Sequence, residues 1–144
     1  QLFETYCGSI PYDLYKECIL PYSKKILNRA KELSCPTIFF PKDFSLGLKY
    51  INKDICDFVS IDWTMKLEDA RNLVDKNVGL QGNMDPRIFY YDELKIESYL
   101  ESLSSFGKNN HDWIFNLGHG FLPDIDYKKV QNVVNWIKNK NWNR

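Results

Sequence analysis

The chain has 144 residues, enough for one domain or for part of a larger one. Hydrophobic residues make up 44% of it and aromatic residues 15%, so it can bury a core and is not a disordered segment. Its 19 basic and 19 acidic residues cancel, which argues against bulk attraction to nucleic acid or to an anionic membrane. No apolar run approaches the roughly 20 residues of a membrane-spanning helix.

The four cysteines, Cys7, Cys18, Cys35 and Cys56, have neither CxxC spacing nor a Cys/His spacing suited to zinc. A disulfide scaffold would be shorter and denser in cysteine. We therefore expect reduced thiols scattered through the core and no metal site.

Short apolar runs rich in β-branched and aromatic residues predict five strands, each followed by a helical segment. The predicted strands cover residues 1–5, 37–40, 58–61, 78–81 and 113–117, and the predicted helices cover 12–33, 46–52, 67–74, 92–106 and 127–137. Pro21 lies within the first helical pattern, so either that helix kinks or two helices meet there. The inner stripe of the fourth helix is predicted to be Leu94, Tyr99, Leu100 and Leu103.

Strict alternation of apolar strands and helices predicts an α/β fold with a parallel sheet and right-handed crossovers. Because a TIM-type (β/α)8 barrel needs eight units, five predict an incomplete barrel. An open doubly wound sheet is the alternative. The chain begins at Gln1, inside a predicted strand, so we expect it to be a fragment whose targeting segment, if any, lies upstream.

Polar residues follow each predicted strand, and in a barrel these strand ends share the face on which sites are built. They are Thr5, Lys42-Asp43, Asp62-Trp63-Thr64, Gln81 to Asp85, and Asn116 to His119. His119 stands between Gly118 and Gly120, which allow a sharp turn and close approach of a ligand. It is therefore a candidate binding residue.

These strand ends carry a set of motifs whose order and spacing match one family. The motifs are Gln1-Leu2-Phe3-Glu4-Thr5, Leu20-Pro21-Tyr22, Asp62-Trp63-Thr64, Leu80-Gln81-Gly82-Asn83-Met84-Asp85-Pro86 and Asn116-Leu117-Gly118-His119-Gly120. Over its whole length the chain resembles the uroporphyrinogen decarboxylase family. The resemblance implies that residues 1–144 are the C-terminal part of a single barrel domain, with strands four to eight, and that the whole protein is a homodimer.

The resemblance also implies a reaction, that of a carboxy-lyase of porphyrin and haem biosynthesis. Enzymes of this family convert the four acetate side chains of uroporphyrinogen to methyl groups, giving coproporphyrinogen and carbon dioxide. No cofactor is expected, because a protonated pyrrole can itself accept the electrons. The sequence agrees in lacking GxGxxG, a P-loop and a recognisable Schiff-base lysine. The implied partner is a tetrapyrrole, with no nucleic acid and no membrane.

Two substrate-binding positions implied by the resemblance fall in this chain, Thr5 and His119. The family's arginine-rich loop, central aspartate and tyrosine have no counterpart here, so no catalytic residue is assigned. We therefore expect the isolated chain to be inactive, and aggregation-prone because of its open strand edges. The other polar strand-end residues have structural explanations: Asp62 and Asp85 as helix caps, Gln81 and Asn83 as ties between loops. His111 is predicted to be exposed and without a role.

Two alternatives remain open from the sequence. A cobamide-dependent methyltransferase of the same superfamily would need zinc, held by a His-x-Cys pair at a strand end, where this chain has Phe40-Pro41-Lys42-Asp43. A non-catalytic, tetrapyrrole-binding half-barrel is the second alternative. The expected location is the cytoplasm, with a plastid as the alternative.

Overall fold

A computed structural model describes residues 1–142, so the last two residues of the predicted domain lie outside the described part. Its strands are β1 (Leu2–Glu4), β2 (Ile38–Pro41), β3 (Phe58–Ser60), β4 (Gly79–Met84) and β5 (Trp113–Leu117). Its helices are α1 (Tyr12–Cys18), α2 (Leu20–Glu32), α3 (Leu67–Leu73), α4 (Glu93–Asn109) and α5 (Tyr127–Asn139), and 3-10 turns occupy Cys7–Ser9, Ser45–Tyr50 and Pro86–Tyr90.

The five strands form one parallel sheet in the order β1-β2-β3-β4-β5, so each new strand is added on the same side as the last. A doubly wound sheet reverses its strand order at a switch point, and this sheet has no reversal. The predicted α/β class is confirmed, and the sheet is consistent with part of a barrel. Among the helices of residues 1–142, none combines the length and apolar character needed to cross a bilayer.

The first predicted helix is in fact two. α1 and α2 meet at Ile19, and Pro21 lies in the first turn of α2, where a missing N–H costs no helical hydrogen bond. The predicted helix over residues 46–52 is confirmed in part, because Ser45–Tyr50 forms a short 3-10 helix and not an α-helix. There the ring of Phe44 fills the space where a Cβ on Gly47 would stand, and the N–H of Gly47 donates to the Phe44 carbonyl at 2.9 Å.

β4 is longer than the prediction, which ended it at residue 81. It continues to Met84, and all six of its residues are buried. Gly82 and Asn83 look like turn residues in the sequence, but they pair with Phe115 and Asn116 of β5. β4 thus carries its polar Asn83 into the interior.

Two apolar clusters form the core. The larger lies around the buried residues Phe39, Ile51, Val59, Ala70 and Leu80. The smaller joins Met84 of β4 to α4 and α5, with Phe89, Ile96, Leu100 and Val133.

The prediction that all four cysteines are core thiols was half wrong. All are free, but only Cys7 and Cys56 are buried. Burial raises the pKa of both of these thiols to about 12, so they stay uncharged. Cys18 ends α1 and Cys35 follows α2, and both are exposed because helix ends and loops lie at the surface.

A charged brace joins β2 and β3 at their amino ends. One oxygen of Asp57 accepts from the N–H and the hydroxyl of Thr37, both at 2.9 Å, and the other lies 2.9 Å from the Lys53 Nζ. Burial of Asp57 opposes its charge, but hydrogen bonds from Lys53 and Thr37 outweigh that effect and lower the pKa from 3.8 to about 2. Asp57 therefore stabilises the fold above about pH 4, and its contribution is lost as the pH falls through about 2.

Asp57→Asn should lower the free energy of unfolding at pH 7 by about 1–3 kcal/mol, because it removes the charge that pairs with Lys53. The difference in unfolding free energy between the variant and the wild type should become smaller between pH 4 and pH 2, because Asp57 of the wild type becomes protonated in that range. Urea titration followed by tryptophan fluorescence measures both quantities. Asp54→Asn, at an exposed neighbouring position, is the control and should change little. A difference that persists undiminished at pH 2 would contradict this account of the brace.

Candidate functional site

The structure brings the two predicted binding residues to one cavity. Thr5 follows β1 and His119 follows β5, at the two edges of the sheet, yet both line the same cavity of about 720 Å³. This follows from the parallel sheet, whose strand ends all lie along one rim. Their contact with a substrate stays a prediction.

The walls of this cavity are largely aromatic and aliphatic. Phe3 of β1 and Phe40 of β2 form an edge-on pair with ring centroids 6.1 Å apart, and Phe89 and Phe121 form another at 5.4 Å. The sequence reasoning missed these residues, although Phe3 is two residues before Thr5 on a strand and so shares its face. Apolar walls with a few polar groups are typical of sites for organic ligands.

His119 is exposed, and its ring is held by aromatic neighbours. It meets Trp63 edge-on with centroids 5.7 Å apart and Phe40 at 6.4 Å. Within residues 1–142 no hydrogen bond is made to either ring nitrogen or to the Thr5 hydroxyl, so these groups can bind a ligand. His111, as predicted, is exposed in the loop before β5.

Asp62 was predicted to cap the following helix, and this prediction was wrong. α3 begins five residues later, with Lys66 before it. Instead, Oδ1 of Asp62 accepts from the backbone N–H of Thr64 and Oδ2 accepts from the N–H of Asp43. The carboxylate therefore ties the loop after β3 to the loop after β2.

Asp85 does cap the turn that follows it. Its carboxylate accepts from the backbone N–H of Arg87 at 2.9 Å, and Pro86 stands at the first position, as predicted. Burial works against its charge, but the side-chain and backbone hydrogen bonds of Arg87 lower the pKa of Asp85. The sequence reasoning missed Arg87, which also lies over the indole of Trp63 at 5.7 Å.

Asn83 binds the loop after β3, as predicted, whereas Gln81, predicted to tie loops together, joins two strands. Asn83 Nδ2 donates to the carbonyls of Asp62 and Met65, at 2.9 and 2.5 Å. Gln81 Nε2 donates to the Ser60 hydroxyl at 3.2 Å.

The two glycines beside His119 have different roles. The chain bends at Gly118 and His119, as predicted, but neither glycine has a positive φ. A Cβ on Gly118 would lie 2.5 Å from the backbone nitrogen of Trp63, so this glycine allows one loop to pack directly on another. A Cβ on Gly120 would have no heavy atom within 4 Å. The sequence predicted that a ligand would approach these glycines closely. At Gly118 the backbone of Trp63 makes that close approach instead.

In the described part of the chain, the side chains that could bind a metal ion are not grouped together. Among residues 1–142, His, Cys, Asp and Glu side chains nowhere form a group of three or more that could hold an ion.

Gly118→Ala should destabilise the protein by about 1–3 kcal/mol, because the added methyl group collides with the Trp63 backbone. Gly120→Ala is the matched control and should change the unfolding free energy by less than about 0.5 kcal/mol. Urea titration of both variants measures the difference. Equal effects at the two positions would show that the packing on Trp63 is not what requires glycine.

Comparison with known proteins identifies the family. Residues 1–140 match the family model described as Uroporphyrinogen decarboxylase (URO-D). The chain is 37% identical to the uroporphyrinogen decarboxylase of Chlorobium chlorochromatii, over 96% of this chain and 41% of that protein. Proteins of the same name from Ruthia magnifica and Geobacter sulfurreducens are 32% and 30% identical, over 94% and 95% of this chain and 40% of each relative. The chain thus spans about two-fifths of the length of these curated relatives, and it belongs to the uroporphyrinogen decarboxylase family.

Proposed function

We propose that the whole protein is a uroporphyrinogen decarboxylase. It converts the four acetate side chains of uroporphyrinogen to methyl groups, releasing carbon dioxide and giving coproporphyrinogen. Family membership and a single observation on the site support this proposal: Thr5 and His119, from opposite edges of the sheet, line one largely apolar cavity. Such a cavity suits a tetrapyrrole, whose rings are apolar and whose arms are carboxylates.

The two polar residues bind substrate arms. The Thr5 hydroxyl donates a hydrogen bond to one carboxylate, and a ring N–H of His119 donates to another. The aromatic walls at Phe3 and Phe40 pack against the pyrrole rings. The role of this part of the protein is therefore to hold a flexible macrocycle in one orientation.

The substrate supplies its own electron sink. Protonation of a pyrrole carbon lets the electron pair of the breaking carbon–carbon bond enter the ring as carbon dioxide leaves. A second proton then adds to the exocyclic carbon to complete the methyl group, and the ring carbon releases the first proton, so that one proton is taken up for each carbon dioxide released. A group that stabilises the cationic pyrrole is required. The carboxylates of Asp62 and Asp85 are bound by neighbouring N–H groups, and that of Asp43 is paired with Lys42, so we assign that role to none of them.

Several features of the whole protein belong to the same proposal. The strands β1–β5 are strands four to eight of a TIM-type (β/α)8 barrel, and the whole protein is a homodimer. Residues 1–144 alone are inactive, because the strand-end carboxylates of Asp43, Asp62 and Asp85 are bound within the protein and do not supply the counter-charge for the pyrrole. The cytoplasm is the proposed location; the relatives named above are bacterial, which gives no support to a plastid.

His119→Ala in the whole protein should lower kcat/KM roughly 10- to 100-fold, the worth of one hydrogen bond to a charged group. Turnover should persist, because His119 holds a substrate arm and is not at the carbon that takes up the proton. Coproporphyrinogen formation under anaerobic conditions measures the effect. Thr5→Val should behave similarly, since it removes the hydroxyl and keeps the shape of the side chain.

His111→Ala is the matched control and should leave kcat/KM unchanged. Complete loss of turnover in His119→Ala, with the fold intact, would contradict the assigned role. Tight porphyrin binding without any turnover in the wild-type protein would favour the non-catalytic alternative.

A further inference from the structure

The loops along the rim are linked by one buried side chain, Asp62, which is only 6% exposed. Its Oδ2 accepts from the N–H of Asp43 at 2.7 Å. Its Oδ1 accepts from the N–H of Thr64 at 2.8 Å and from the Thr64 hydroxyl. Because both oxygens are bound within the protein, Asp62 acts on other residues and not on a ligand.

One path of contacts leads from Asp62 to the Thr5 side of the cavity. Asp43 has φ 57°, in the left-handed region that L residues rarely adopt, and its N–H is the one bound by Asp62. The loop after β1 packs on this turn: the N–H of Gly8 donates to the Lys42 carbonyl at 3.0 Å, and a Cβ on Gly8 would lie 2.4 Å from the Cβ of Asp43. Thr5 is three residues before Gly8.

A second path leads from Asp62 to the His119 side. Asn83 fixes the other side of the Asp62 loop by donating to the carbonyls of Asp62 and Met65. Gly118 packs on the backbone nitrogen of Trp63, the residue after Asp62. The ring of Trp63 then meets the ring of His119 at 5.7 Å.

We propose that Asp62 is a positioning residue that sets the distance between Thr5 and His119 across the cavity. The inference rests on the proposed function, because the distance matters for holding two arms of one macrocycle. Two contacts from opposite walls act together only when their spacing matches that of the arms. Asp62 holds the turn that supports one wall and the loop that supports the other.

Asp62→Asn tests this idea with little change in size. One carboxylate oxygen becomes an NH2 group, which cannot accept from the N–H of Asp43 or from Thr64. In the whole protein, kcat/KM should fall about tenfold or more, chiefly through a higher KM. Thr64→Val removes only the hydroxyl donor and should cause a smaller change in the same direction, so the test survives if Asp62→Asn folds poorly.

A second substitution separates positioning from direct contact. Glycine adopts a positive φ without strain, so Asp43→Gly should relax the turn that Asp62 holds. The double variant Asp62→Asn/Asp43→Gly should recover part of the lost kcat/KM. If Asp62 instead touched the substrate, relaxing the turn would restore nothing.

A measurement without substrate completes the test. The ring centroid of His119 lies 5.7 Å from that of Trp63 and 6.4 Å from that of Phe40, so the NMR shifts of its ring protons are sensitive to the position of that ring. In Asp62→Asn the His119 resonances should move, the exposed His111 should not, and the double variant should return His119 towards its original shift.

The outcomes distinguish the two proposals. A fall in kcat/KM with unmoved His119 resonances, or no recovery in the double variant, overturns the positioning role and leaves the decarboxylase proposal standing. If the wild-type protein releases no carbon dioxide from uroporphyrinogen, the proposed function is overturned. The positioning role still stands in that case if the His119 resonances move in Asp62→Asn and return in the double variant.

Discussion

Parallel pairing of successive strands is the constraint on which the rest of this structure depends. Each strand lies beside the one before it in the chain, so each strand end, with the polar residues that follow it, comes to the same rim. Residues separated by more than 100 positions, such as Thr5 and His119, thereby line one cavity. The amino ends of the strands do different work: there the Asp57 and Thr37 brace joins β2 to β3. This brace and the proposed binding residues thus lie at opposite ends of the sheet.

The rim is built from loops that pack on one another. Four of the five strand-end loops touch through backbone contacts that a larger residue at Gly8 or Gly118 would break, and the buried carboxylate of Asp62 lies among them. Such packing fixes the loops, and it leaves the ring nitrogens of His119 unused within the described residues. Polar groups held in place around apolar walls can bind a ligand without first paying to order themselves.

The sequence predicted those parts of the structure that local pattern determines. Apolar runs located all five strands, and the motif Asp85-Pro86 predicted a helix cap, which Asp85 forms at the start of Pro86–Tyr90, because both signals lie in adjacent residues. Packing decided the rest. Gly82 and Asn83 extend β4 because β5 pairs with them. Leu94, predicted to face inwards, is 80% exposed, since the buried face of α4 follows Ile96 and Leu100, which pack with Val133 in one cluster. The role of Asp62 depends on Asp43, 19 residues away in sequence, which no local pattern reports.

A bound porphyrin offers the most direct measurement of the central claim, that both edges of the sheet contribute to one tetrapyrrole cavity. The ring current of a porphyrin shifts the resonances of nearby protons strongly. Addition of uroporphyrin, the oxidised macrocycle with the same eight carboxylates, to the whole protein should shift both the Thr5 methyl and the His119 ring resonances, at one common affinity, and leave His111 unchanged. A shift at only one of the two residues, or different affinities for the two, would contradict a single shared cavity.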